Sequence, residues 1–325
     1  MGLSRRDLLW LSLGAAGGLT GARVWAGLRG RRPRPSLAAD SPRLLESAEY
    51  GAMAGPPPDL GPQALDDLTL LPPAAAGPRH YRLEVEELNV AVSQDQVLPA
   101  WTFNGRIPGP LLRANAGETV NIEFRNGGAR PHNLHFHGAH EVAVDGWEPL
   151  PPGGTRRVQF RAAPAGLHPY HCDMTPAPEH ISRGLYGLLV VDPPGGRPPA
   201  KELALVLGGF DTDGDGRSDL FGWNGVPGFQ MKYPLRVRVG ELVRVYLLNM
   251  VADEPVISFH LHAQVFDVYP SGTGRTPAAR TDVVTLAPTE RAILEFRLPE
   301  SGRYMFHPHQ ARLAERGAMG WFTAL

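Results

Sequence analysis

One block of sequence occurs twice along this chain, and its landmarks return in the same order. Asn104-Gly105 recurs as Asn224-Gly225, and Ala116-Gly117-Glu118 recurs as Val239-Gly240-Glu241. The second of these landmarks opens an apolar run that ends at an asparagine, Asn126 in one copy and Asn249 in the other. His135-Phe136-His137 then corresponds to His260-Leu261-His262, and the run Pro152 to Phe160 to the run Pro288 to Phe296. Last, Pro169-Tyr170-His171-Cys172 parallels Met305-Phe306-His307-Pro308. The pattern is that of one domain duplicated, and 325 residues hold two such domains, each with its own core, plus extensions.

The repeating unit reads as β-structure. Short apolar alternations such as Tyr81 to Val85, Val120 to Phe124 and Arg157 to Phe160 are broken by turns, the spacing of a sandwich or barrel. With 38 glycines and 33 prolines, a helical bundle is disfavoured. The repeat places a first domain over 79–195 and a second over 196–325, with Pro193 to Pro199 as the hinge. Residues 27–78, rich in Pro, Ala and Gly, read as a flexible arm. Residues 1–26 carry Arg5-Arg6 before a short apolar run, which reads as a twin-arginine export signal. The expected location is therefore periplasmic or extracellular, with a membrane anchor if the signal stays uncleaved.

Histidine placement points to metal. In a strand, residues i and i+2 face the same way, so His-x-His sets two imidazoles on one face about 7 Å apart. Such pairs occur at His135/His137, His260/His262 and His307/His309, and His171 adjoins the one cysteine, Cys172. A lone thiol excludes an intramolecular disulfide and a four-cysteine zinc site. Two imidazoles and a thiolate, His132, His180 and Cys172, make the donor set of a blue copper site. Leu185 takes the axial slot, where a missing thioether donor raises the reduction potential; Met174 is a competing candidate that follows the cysteine closely.

These motifs resemble those of two-domain multicopper oxidases, relatives of laccases and copper nitrite reductases, and the resemblance covers His80 to Leu325. It implies two tandem cupredoxin-like Greek-key β-barrels. It assigns His132, Cys172 and His180 to a type 1 copper, and His135, His137 and His171 to a type 2/type 3 cluster. In the second domain Ile257 and Pro308 stand where a second blue copper would need its histidine and cysteine. His260, His262, His307 and His309 remain, as a half-site completing the cluster. The resemblance also implies a homotrimer with clusters shared between subunits, about four coppers per chain, and O2 as oxidant of a small reductant or redox protein. A nitrite reductase, needing one type 2 copper with three histidines, and a non-enzymatic electron carrier are the alternatives. The chain departs from the family at Asp173, where a further histidine is expected. Asp173 reads as a carboxylate ligand, a proton carrier, or a sign of a weakly held copper.

Other signals are weaker. Asp145 is a candidate proton donor to cluster-bound oxygen or a turn aspartate, and His80, His140 and His168 read as supporting residues. Asp211, Asp213, Asp215 and Asp219 resemble a calcium loop but lack the closing glutamate of an EF-hand; a polar turn is the other reading. The formal net charge of −1 and the absence of a basic, aromatic-interleaved stretch exclude a nucleic-acid partner.

Overall fold

The landmarks of the repeat prove to be turn and strand-end devices that act identically in both copies. At each Asn-Gly both residues have positive φ, 57° and 69° at Asn104-Gly105, and 54° and 86° at Asn224-Gly225. This backbone closes a two-residue turn, and few residues besides asparagine and glycine adopt it. Each asparagine side chain then bonds the preceding strand on both sides. Glu84 N donates to Asn104 Oδ1 while Asn104 Nδ2 donates to Arg82 O; Val206 N and Ala204 O play the same parts at Asn224. Glu118 accepts from Asn115 N, as Glu241 does from Arg238 N. Asn126 and Asn249 reach the carbonyls of Leu150 and Leu286.

The computed structural model describes residues 56–325, apart from 62, 63, 65, 67, 68, 71 and 73–75. The first domain contains β1 (Arg79–Ala91), β2 (Val97–Phe103), β3 (Leu111–Asn115), β4 (Thr119–Asn126), β5 (His135–Phe136), β6 (Thr155–Arg161), β7 (Gly166–His171) and β8 (Tyr186–Asp192). They form two sheets, ordered β2-β1-β4-β6 and β3-β8-β7-β5. The second contains β9 (Lys201–Phe210), β10 (Leu220–Trp223), β11 (Leu235–Val237), β12 (Val243–Asn249), β13 (Ile257–Leu261), β14 (Phe266–Pro270), β15 (Ala279–Thr281), β16 (Val283–Leu286), β17 (Arg291–Phe296), β18 (Gly302–Pro308) and β19 (Gly320–Ala324). Its sheets run β10-β9-β12-β17-β14-β15 and β11-β19-β18-β13-β16. The fold is thus nearly all-β, with two cupredoxin-like sandwiches.

Strands β8 and β12 are buried on both faces, and their period-2 alternation shows what each face does. Leu189 and Val191 enter the core of the first domain, whereas Leu188 and Val190 join Ala204, Val206, Tyr246 and Leu248 in a core between the domains. Truncating Leu188 to alanine there costs about 2–5 kcal/mol. An ion network spans the same boundary: Arg113 pairs with Asp192 and Glu202, and Arg244 with Glu202 and Glu295.

The export segment and most of the arm lie outside the described residues. The described part of the arm differs from a free linker. Pro56 O accepts from Gln94 N, Asp59 pairs with Lys232 and Tyr233, Pro72 O accepts from Arg113, and Leu70 packs on the second domain's core. A proline-rich stretch leaves its carbonyls without local partners, and here the domains supply donors. Among the described residues no helix is long and apolar enough to cross a membrane.

Candidate metal centres

Three backbone connections bring the first donor group together. His132 forms an isolated bridge with Leu150, their amides and carbonyls exchanging bonds of 3.1 and 2.7 Å. Cys172 follows β7 directly, and His180 sits in the short helix Ala177–Ser182. Leu185 ties these two: its carbonyl accepts from Cys172 N at 3.0 Å, and its N–H donates to His180 O at 3.1 Å. Both imidazoles turn Nδ1 toward Cys172 Sγ, at 3.6 Å for His132 and 3.2 Å for His180. Asn133 N also donates to the sulfur at 3.4 Å.

This pocket is dry: His132, Cys172 and Leu185 are fully buried. Burial, helped by His180 and Arg130, holds His132 down to about 4, and burial pushes the Cys172 thiol up to about 11. At neutral pH the histidines therefore offer lone pairs, while the sulfur needs a cation to ionise. Two imidazole nitrogens and one sulfur converging on a single point, with an apolar leucine alongside, fit copper of the blue type.

The second group is built by strand pairing. His135 lies opposite His171 across β5 and β7, and His137 N–H donates to Pro169 O. His171 Nδ1 donates to Cys172 O at 3.0 Å, which leaves its Nε2 lone pair facing His137 Nε2 at 2.8 Å. His135 Nδ1 donates to the Asp145 carboxylate at 2.5 Å, which fixes the tautomer and leaves Nε2 free. Burial and the neighbouring imidazoles hold His137 down to about 3. Cys172 and His171 are sequence neighbours, yet they belong to different donor groups.

The second domain reproduces this arrangement with one difference: His260 Nδ1 donates to the main-chain Asp282 O at 2.9 Å, where His135 uses a carboxylate. His260 lies opposite His307 across β13 and β18, and His262 N–H donates to Met305 O. His307 Nδ1 donates to Pro308 O, and its Nε2 meets His262 Nε2 at 2.9 Å. The His309 ring is 4.8 Å from that of His260, centroid to centroid. Where a blue copper would sit, Ile257 and Leu313 instead join the hydrophobic core. Among the described residues, no donor group mixes histidines of the two domains.

Other expected residues fall as follows. Asp145 stands behind His135, 3.8 Å from His140 Nε2. Asp173 is exposed and lies outside the His135/His137/His171 group; its N–H donates to Asn133 Oδ1. His168 is buried, and its Nδ1 faces His137 O at 2.8 Å, so it braces the His137 backbone. Met174 packs at the edge of the core that holds Cys172. Asp211, Asp213 and Asp219 converge without Asp215, and they accept backbone N–H groups of their own loop, which accounts for the convergence without an ion. Asn133 and Trp101 also contact the first group, and sequence reasoning passes over both. Asn133 lies inside the His132-to-His137 motif, whereas nothing marks Trp101 except its place before the Asn104 turn.

Family models described as multicopper oxidase match residues 84–196 and 198–325. The chain belongs to the multicopper oxidase family. It is accordingly a copper-dependent oxidoreductase. Its relatives among curated proteins include the copper-containing nitrite reductase of Neisseria gonorrhoeae, 31% identical, with 75% of this chain and 68% of that protein covered. Laccase-8 of Oryza sativa subsp. japonica is 25% identical, with 64% and 43% covered. A crystal structure of a multicopper oxidase matches with a TM-score of 0.77 at 36% identity, covering 85% of this chain and 99% of the other. The copper nitrite reductase of Nitrosomonas europaea matches with a TM-score of 0.72 at 28% identity, covering 76% and 94%.

Proposed function

We propose that this multicopper oxidase is laccase-like: it takes single electrons from a reductant at His132, Cys172 and His180, and reduces O2 to water at a cluster held by histidines of both domains. The observation that carries this reading is the second-domain set His260, His262 and His307, whose ring geometry matches that of His135, His137 and His171, with His309 beside it. A site of one copper and three histidines leaves such a set unused.

Bound copper supplies one-electron acceptance at the first group and multi-electron reduction at the second. The protein's own residues do the rest. Asn133 N–H stabilises the Cys172 thiolate, and the His132–Leu150 bridge and Leu185 keep both imidazoles aimed at it. The peptide unit joining Cys172 to His171 is a short covalent route between the groups, tightened by the His171 Nδ1–Cys172 O bond. Asp145 orients His135. Because the two histidine sets stay separate within one chain, the reading includes an oligomer in which the first domain of one copy faces the second domain of another, as in a closed ring.

Nitrite reduction is the second reading, favoured by the 31% identity to the Neisseria gonorrhoeae enzyme. Oxygen uptake and nitrite consumption by the copper-loaded protein, with the same reductant, separate the two. Oxygen consumption with no nitrite turnover is expected; nitrite turnover without oxygen uptake overturns the oxidase reading.

A further inference from the structure

The imidazoles of His132 and His180 share a neighbour that belongs to neither donor group. Trp101, on β2, meets the His132 ring at 5.4 Å between centroids and the His180 ring at 4.8 Å. Two guanidiniums lie over its own ring, with Arg130 Cζ 5.2 Å and Arg183 Cζ 4.9 Å from the centroid. Trp101 is only 6% exposed, while Arg130 is exposed. The indole thus touches two buried imidazoles and also seats a surface cation on its ring face.

The two arginines are not equivalent. Arg183 is fixed to the scaffold: its carbonyl accepts from Trp101 N, its Nη1 donates to Pro99 O, and its charge is offset by Glu179 at 3.2 Å. Arg130 forms no ion pair among the described residues. It lies two residues before His132, and its guanidinium sits over the ring that meets both imidazoles. Two anions near the centre also lack an ion pair among the described residues: the exposed Asp173, next in sequence to Cys172, and Glu87, whose Oε1 accepts from Ala129 N and flanks Gly128 together with His132 Nε2.

We infer that Trp101 and Arg130 form a cationic lid that favours the reduced state of the His132/Cys172/His180 centre and raises its reduction potential. This rests on the reading of that trio as the type 1 copper site. Two neutral imidazoles and one thiolate leave the centre with one net positive charge when copper is Cu(II) and none when it is Cu(I). A fixed cation nearby therefore destabilises the oxidised form, and an indole that excludes water weakens the screening between them. One electron arrives from the reductant, and no bond is made or broken. Trp101 and Arg130 are positioning residues: they act on the centre without coordinating it.

The test is a spectroelectrochemical titration of the copper-loaded full chain, following the visible thiolate-to-copper band. Arg130→Gln should lower the potential and Arg130→Glu should lower it further, with a larger shift at low ionic strength. Thermal stability and band intensity should stay at parental values, which a merely structural role would not separate from the potential. In a Trp101→Leu background, Arg130→Gln should shift the potential less than it does in the parent, because the seat that holds the cation is gone. If Trp101→Leu does not fold, the two Arg130 variants decide by themselves. Equal potentials for parent, Arg130→Gln and Arg130→Glu at low ionic strength would overturn the inference. A parent protein with no such band overturns instead the type 1 reading on which the inference stands.

Discussion

His171 and Cys172 share one peptide bond and serve two different donor groups: the His171 ring meets His137 Nε2 at 2.8 Å, while Cys172 Sγ lies 3.2 Å from His180 Nδ1. Consecutive residues at a strand end face opposite ways, so β7 can feed a dry pocket on one side and a histidine cluster on the other. Removing the sulfur should disconnect the two. Cys172→Ser is expected to lose the visible thiolate-to-copper band and all turnover with the fold retained, as checked by absorption and circular dichroism. A mutant that keeps the band contradicts the assignment.

Leu185 is tied by its backbone to both Cys172 and His180 and is fully buried beside them. Leu185→Met places a thioether beside Cys172 and His180, where it would serve as an axial donor if Leu185 holds that position. The potential should fall, because the thioether stabilises Cu(II), at a stability cost under about 1.5 kcal/mol given the similar volumes. A raised or unchanged potential on redox titration shows that Leu185 is not axial.

Asp173 is exposed and stands apart from the cluster histidines. Asp173→Ala should therefore retain the parental copper content by metal analysis, and Asp173→His should leave the spectrum close to that of the parent. Loss of copper in the alanine variant would make Asp173 a ligand after all. A fall in rate without loss of copper, greatest at higher pH, would mark it as a proton carrier.

The copper-free protein should lose stability in mild acid. Burial holds His132 down to about 4 and His137 down to about 3, against an ordinary histidine value of 6.5. Between those values and 6.5 the unfolded chain binds more protons, so stability is complete above 6.5 and declines as pH falls. The decline is at most about 1.4 kcal/mol per pH unit for each such histidine. The thermal midpoint of the apo protein should drop from pH 6.5 to 4.5, and less steeply for His137→Gln. A flat profile over that range would show that neither histidine is held neutral by the fold.

Much of this was legible in the sequence, and the reasons are local. The Asn104 and Asn224 turns, the Glu118 and Glu241 turns, and the His-x-His pairs each rest on contacts between residues close in sequence or on neighbouring strands. Spacing alone exposes such contacts. What stayed hidden depends on residues distant along the chain. Trp101 reaches His180, and Leu188 packs against the second domain, only because two sheets are stacked. The arm from Pro56 reads as a free linker because its partners, Gln94, Arg113 and Lys232, lie far along the sequence. By position Asp173 reads as a ligand, a proton carrier or the mark of a weakly held copper; that its side chain is exposed depends on strand-end direction, which is not visible in a motif.

The shared cluster can be tested by complementation. His137 belongs to the first-domain set and His309 stands beside the second, and no donor group among the described residues joins the two sets within one chain. His137→Ala and His309→Ala should each lose most oxidase activity alone. Co-refolded together, they should recover part of it, through hybrid interfaces that pair an intact first domain with an intact second. Absence of any recovery, or full activity in an isolated monomer, contradicts a site built between copies.

Copper bound per chain at full loading, read together with the electron paramagnetic resonance spectrum, bears on all the donor groups at once. Single substitutions report on one histidine at a time, whereas the total separates the oxidase from the reductase directly. Roughly four coppers per chain are expected, one with the narrow hyperfine pattern of a thiolate-bound site and one ordinary type 2 signal, the remaining pair being coupled and silent. About two coppers per chain, both visible by resonance, would contradict the shared cluster and leave a site of the nitrite reductase kind.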